Sequence, residues 1–261
     1  MLGILDSIPD EPKEIFYQMS LPVEMAKLFE QVGANYFPEI LNSTEQLSRY
    51  DTPLKVAMNL GVFGVDLGYV KIFDRQLDEV NYFGTIQKLS DDLGIPADLY
   101  SDVLKNLEKY VKNKDTLAWV ATKIYRSADK YLREKGEGSS AAMIMTGGWI
   151  EGMYIATQIY ERDQSNIKLL EKIAEQKYSL NSLISLMNNY HGKDEMTEYL
   201  LMLKNLRRSF NQFQIFYKMN DVKVDTVNKV ISASKYYCDA EPEEILEISS
   251  KIASLRNRII R

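Results

Sequence analysis

The chain has 261 residues, 45% of them hydrophobic and 26% charged, with a formal net charge of −5. These proportions are those of a globular protein with a sizeable core, and the acidic balance argues against a nucleic-acid binder, which needs a basic face to displace counterions from phosphate. One cysteine, Cys238, and one histidine, His191, exclude an intramolecular disulfide, a multi-cysteine or multi-histidine zinc site and a histidine-based di-iron site.

Residues 1–19, with Pro9, Pro12 and several acids, read as an extended arm, and Met1 to Ser7 lacks the cationic start and apolar run of a signal peptide. Residues 20–261 read as a single helical domain. Ser20 and Pro22 open a helix that stops at Gly33, and Phe37 to Tyr50 makes one or two short turns. Thr52-Pro53 starts a long helix to about Phe73. The next runs from about Leu77 to Leu93 and stops at Gly94, followed by Ile95-Pro96. Residues 97–112 carry a third helical pattern, and Asp115 caps a fourth that includes Leu117, Val120, Ile124, Ala128 and Leu132. Gly136 to Ser140 reads as a linker between helices. Ser140 opens a helix to about Tyr160, residues 164–190 form another with a possible break near Tyr178-Ser179, and residues 193–213 form an amphipathic one. His191 before Gly192 suits a helix C-terminal cap. Residues 215–240 are β-branched without a helical period and read as a loop or short hairpin. Pro242 to the end repeats Ile245, Ile248, Ile252, Leu255 and Ile259 at helical spacing, with acids first and arginines last, as the helix dipole favours. The fold class is therefore all-α, an irregular multi-helix bundle or an array of helix pairs.

At an offset of 85 residues Ala57-Met58 matches Ala142-Met143, Tyr69 matches Tyr154, Asp78 matches Asp163 and Asn81 matches Asn166, while Asp66 falls over Glu151. The match suggests two related helix-pair halves around 53–93 and 140–178. The first helix of each half is apolar nearly all round and rich in glycine: Gly61, Gly64 and Gly68, then Gly147, Gly148 and Gly152 around Trp149. A glycine costs about 1 kcal/mol in a helix interior, so such clusters imply a neighbour or a ligand close against the backbone. Two glycine-faced helices crossing tightly is the simpler expectation. Each helix is long enough to span a bilayer, but central Asp66 and Glu151 make no transmembrane segment the expectation.

Asp66 shares a stripe with Lys55 and Asn59, and Glu151 shares one with Gly147, Tyr154 and Gln158. Buried carboxylates must be hydrogen-bonded, solvated or held neutral. Candidate ligand-binding residues are therefore Asp66, Glu151, Tyr69, Tyr154, Asn59, Gln158 and Trp149, on a shared polar cavity if they meet. No catalytic residue, metal ligand or cofactor motif is identified. Asp91-Asp92 resembles the start of an isoprenoid-synthase aspartate motif, but the further acids are missing.

The runs from Ala57 to Tyr69, from Gly147 to Gln158 and from Lys251 to Ile260 together resemble uncharacterised helical proteins of bacterial envelopes, many of them made as lipoproteins. The resemblance covers most of residues 20–260 and implies a periplasmic or outer-membrane-attached location if a signal has been trimmed; otherwise the chain would be cytoplasmic. It implies no activity. The function expected is a non-enzymatic binding or scaffold protein with a protein or small-molecule partner, self-associating if residues 242–260 present their regular face. The alternative is a small-molecule binder or enzyme using Asp66 and Glu151.

Overall fold

A computed structural model describes residues 35–99, 126–190, 194–217, 222–225, 230–233 and 236–261. The expected N-terminal arm, the helix at 20–32, most of the two helices between 97 and 132 and the His191 cap lie outside the described residues. The fold is all-α, a multi-helix bundle with a small β arm.

Two short 3-10 helices, Pro38–Ile40 and Thr44–Arg49, lead into α1, Pro53–Ile72. Thr52 caps α1 by accepting the Lys55 N–H at 3.3 Å, and Pro53 fills the first turn, where a missing N–H costs nothing. After a tight turn, α2 runs over Gln76–Asp92 and ends at Gly94, whose φ of 67° takes the left-handed conformation that glycine adopts without strain. Helical residues 126–134 lead into α3, Gly138–Arg162. The expected linker is only the tight turn around Gly136, and α3 starts two residues earlier than its Ser140 signal. Gly138 lets the Tyr190 ring pack close: a Cβ on it would lie 2.6 Å from the Tyr190 hydroxyl.

α4, Ile167–Asn188, is capped by the Asn166 side chain, which accepts from Leu169 N–H. It runs unbroken through Tyr178-Ser179, because Ser179 and Leu180 are buried in its packed face. α5 covers Asp194–Phe210 and α6 covers Pro242–Ile259. The Glu244 carboxylate reaches back to accept the Glu241 N–H at 2.9 Å, fixing the start of α6. Between them lies the expected hairpin. β1 (Ile215–Tyr217) pairs antiparallel with β4 (Tyr236–Cys238), and β2 (Val222–Asp225) pairs with β3 (Val230–Ala233) inside it.

The centre of the bundle is the pair α1 and α3. Residues 140–153 of α3 are buried without interruption, which is why its sequence is apolar on every side. Gly61 sits where a Cβ would strike the Ile144 carbonyl and come within 2.6 Å of Gly148 N. Gly147 sits equally tightly against Met58, where a Cβ would lie 2.7 Å from the backbone carbonyl carbon. The expected tight crossing is therefore real, and Gly61 and Gly147 make it. Gly64, by contrast, is exposed with open space where its Cβ would be. α1 and α3 run in the same direction, since both run against α6: Asn59 meets Ile259 and Asp66 lies near Arg256, while Glu151 meets Arg256 and Glu161 meets Ser249.

α2 packs on α1, α4 on α3, and α6 against α3 with α5 beside it. The regular apolar face of α6, Ile245, Ile248, Ile252, Leu255 and Ile259, is at most 1% exposed within its own chain. Self-association through 242–260 would thus have to use the outer, polar face, since the apolar stripe already forms part of the core. No helix among the described residues is long and apolar enough to cross a membrane.

Candidate functional site

Asp66 on α1 and Glu151 on α3 both have no solvent exposure, and the structure brings them together. The third member comes from α6. Arg256 lies 7% exposed and donates its Nε to Glu151 Oε2 at 3.0 Å and its NH2 to Glu151 Oε1 at 3.2 Å, a two-pronged pairing that the planar guanidinium is shaped to make. The same NH2 reaches the Ile40 carbonyl at 3.2 Å, and the guanidinium sits 4.5 Å over the Tyr154 ring.

Asn42 closes the other side. Its backbone N–H donates to Asp66 Oδ2 at 3.1 Å, its side-chain amide donates to the Tyr50 hydroxyl at 3.0 Å and, more weakly, to Asn59 Oδ1 at 3.5 Å, and its carbonyl accepts from the Tyr82 hydroxyl at 2.9 Å. Asn59 in turn donates to the Lys55 carbonyl within α1 and to the Ile259 carbonyl of α6, both at 2.9 Å. One polar layer therefore ties α1, α2, α3, α6 and the segment 40–50 together.

The charges in this layer balance with one proton on the pair of carboxyls. Burial, and then the neighbouring Glu151 charge, push the Asp66 carboxyl well above the usual carboxylate range. Burial also raises Glu151, against the pull of Arg256. Arg256 stays charged, since Glu151 outweighs the cost of burying the guanidinium. Asp66 Oδ1 is enclosed with no hydrogen-bond partner among the described residues. With Glu151 held by Arg256, and Asp66 raised by burial and by the Glu151 charge near it, the layer reads as neutral acid, carboxylate and guanidinium. Tyr50 and Tyr82, both pushed up chiefly by burial, remain neutral phenols.

Of the other sequence candidates, Asn59 and Tyr154 belong to this layer. Tyr69 does not. It is buried in an aromatic cluster with Tyr36 and Phe73, where its hydroxyl donates to the Asn35 carbonyl at 2.9 Å and accepts the Phe37 N–H at 3.1 Å. Gln158 is half-buried one turn beyond Tyr154, and its backbone carbonyl accepts from Arg162. Trp149 is a core residue, 4% exposed, with its indole N–H unpartnered among the described residues. Arg256, Asn42, Tyr50 and Tyr82 are the members that sequence reasoning missed. Arg256 had a signal: it lies four residues after Ile252 and three before Ile259, on the apolar stripe of α6, where an arginine must find a buried partner.

Among the described residues, two surface clefts lie elsewhere. One, of about 720 Å³, runs between the start of α1, α5 and the outer face of α6, past Lys55, Tyr199, Met202 and Ser254. The other, of about 420 Å³, is bounded by Thr52, Asp92, Ser140 and Met196. Neither includes Asp66, Glu151 or Arg256 in its lining. Among the described residues, no group of three or more His, Cys, Asp or Glu side chains is placed to hold a metal ion.

Compared with known protein families, curated proteins and solved structures, the chain matches none.

Proposed function

We propose that this chain is a non-enzymatic binding or scaffold module of the bacterial envelope, whose central acids hold the fold together. The observation that carries the reading is the state of Glu151. It is wholly enclosed, both of its oxygens are taken by Arg256, and its other neighbour is the Asp66 carboxyl. A general base or a cation ligand needs a free lone pair facing a substrate. Here those lone pairs are spent on the protein's own groups. The layer links four helices and a connecting segment, which is what a rigid presenting framework requires, and leaves partner contacts to the surface. The envelope location rests on the family resemblance of the sequence alone.

The competing reading makes Asp66 and Glu151 a ligand site. Thermal unfolding measured against a panel of divalent cations, sugars and phospholipid headgroups separates the two. On the scaffold reading, any rise in midpoint persists in Asp66→Asn and Glu151→Gln. A ligand-dependent rise that both variants abolish would overturn it. The location is tested by fractionating cells that make the native chain: recovery with the periplasm or outer membrane is expected, and recovery in the cytoplasm contradicts it.

A further inference from the structure

We propose that the Asp66–Glu151–Arg256 layer is a proton-operated latch, in which one proton on Asp66 holds residues 40–42 and α6 onto the α1–α3 pair, and its loss loosens them.

Two carboxyls and one guanidinium meet in a closed layer, so the layer is neutral with one proton and carries an uncompensated negative charge without it. The groups facing Asp66 leave few ways to absorb that charge. From α3 comes Glu151, from α6 Arg256, from α2 the Tyr82 phenol, and from the 44–50 segment the Tyr50 phenol, with Asn42 between them. Tyr154 lies behind Arg256. Arg49 and Arg162 act on the surrounding tyrosines from the exposed rim, and Lys55, on the Asp66 stripe, is engaged by Asp51 at 3.1 Å. Among the described residues, Arg256 is the one cation bonded within the layer.

The second step is mechanical. The α1–α3 pair cannot yield, because its backbones already touch at Gly61 and Gly147. What can yield is the side of the layer joined by hydrogen bonds alone: the Arg256 contact to the Ile40 carbonyl, the Asn42 contacts to Asp66 and Tyr50, and the Asn59 contact to the Ile259 carbonyl. Ionised Asp66 competes with Glu151 for the guanidinium and repels the Glu151 carboxylate. Relief comes by letting Arg256 and residues 40–42 move so that water can enter.

The folded chain holds this proton more tightly than the unfolded chain does. The latch is therefore fully closed below the ordinary carboxylate range, weakens as pH climbs above it, and is lost once pH passes the raised value of folded Asp66. Across that interval, one proton changes the folding equilibrium tenfold per pH unit.

The test compares the wild-type chain with Asp66→Asn, a neutral stand-in for the protonated acid. Unfolding is followed by denaturant from pH 5 to 10, and hydrogen exchange is measured at both ends of the range. The ratio of the two unfolding constants is expected to shift by up to tenfold per pH unit. Exchange in the wild type should accelerate around residues 40–44 and 252–259 beyond its intrinsic rise with pH, but not at 58–61 or 144–148. Identical pH profiles for the two proteins overturn the latch. If Asp66→Asn fails to fold, the carboxyl carbon of Asp66 is titrated directly by NMR in the wild type. A midpoint well above the usual carboxylate range supports the latch, and an ordinary one overturns it.

Discussion

The two helices at the centre of the bundle meet in two different ways within about two turns of each other. At Gly61 and Gly147 they touch backbone to backbone, and no side chain fits between them. At Asp66 and Glu151 they meet through two buried carboxyls, and a third helix brings Arg256 to Glu151. The first contact is specified by what is missing from the sequence and the second by what is present. A glycine crossing fixes how closely the helices approach, but an apolar surface of that kind tolerates sliding. The polar layer removes that freedom, because its hydrogen bonds close in only one register. Buried polar groups often contribute specificity more than stability, and this pair of contacts divides the two tasks along a single helix.

The largest effect should come from breaking the polar contact on one side only. Arg256→Met leaves Glu151 buried and charged, and a buried pair broken in this way costs about 3–5 kcal/mol. Denaturant unfolding would show it as a lower midpoint, and a change under about 1 kcal/mol would mean that water already reaches the layer. Next comes the glycine crossing. Gly147→Ala places a methyl against the Met58 backbone, which cannot rotate away, and overpacking of this kind costs about 1–3 kcal/mol. Third is Thr52→Ala, which removes the cap of α1 without touching either contact and should cost about 1 kcal/mol. The smallest and opposite effect is expected at Gly64, three residues from Gly61 but facing open space. There Gly64→Ala should stabilise the chain by up to about 1 kcal/mol through helix propensity alone. If Gly64→Ala and Gly61→Ala behaved alike, the account of the crossing would fail.

Legibility in the sequence followed the range of the interaction. Thr52-Pro53, Gly94 and the Ile-rich terminal repeat are local signals, and the helices they mark begin and end within about two residues of the expected places. The α3 start differed because Gly138, which looks like linker, is a packing glycine under Tyr190. The tight crossing was visible because glycine inside an apolar helix is costly unless something presses against it. The 85-residue offset placed Asp66 over Glu151, and they do meet. What the sequence could not show was their company. Arg256 is 105 residues from Glu151, and Asn42 reaches Asp66 with a backbone N–H that any residue other than proline would carry. Tyr69 and Tyr154 matched under the same offset, yet Tyr69 turns to the aromatic cluster around Tyr36, while Tyr154 lies beneath Arg256. The two tyrosines differ in their neighbours because α6 places Arg256 against Tyr154, while Tyr36 and Phe73 surround Tyr69.

The central claim is that Glu151 and Arg256 satisfy each other inside the core. The most direct measurement is a double-mutant cycle on that pair, with Glu151→Gln, Arg256→Gln and both together compared by denaturant unfolding at pH 7. If each group is the other's partner, the double variant should be less damaged than the sum of the single ones, with a coupling of about 1–3 kcal/mol. Additivity to within about 0.5 kcal/mol would contradict the account and return Glu151 to the list of groups free to meet a ligand.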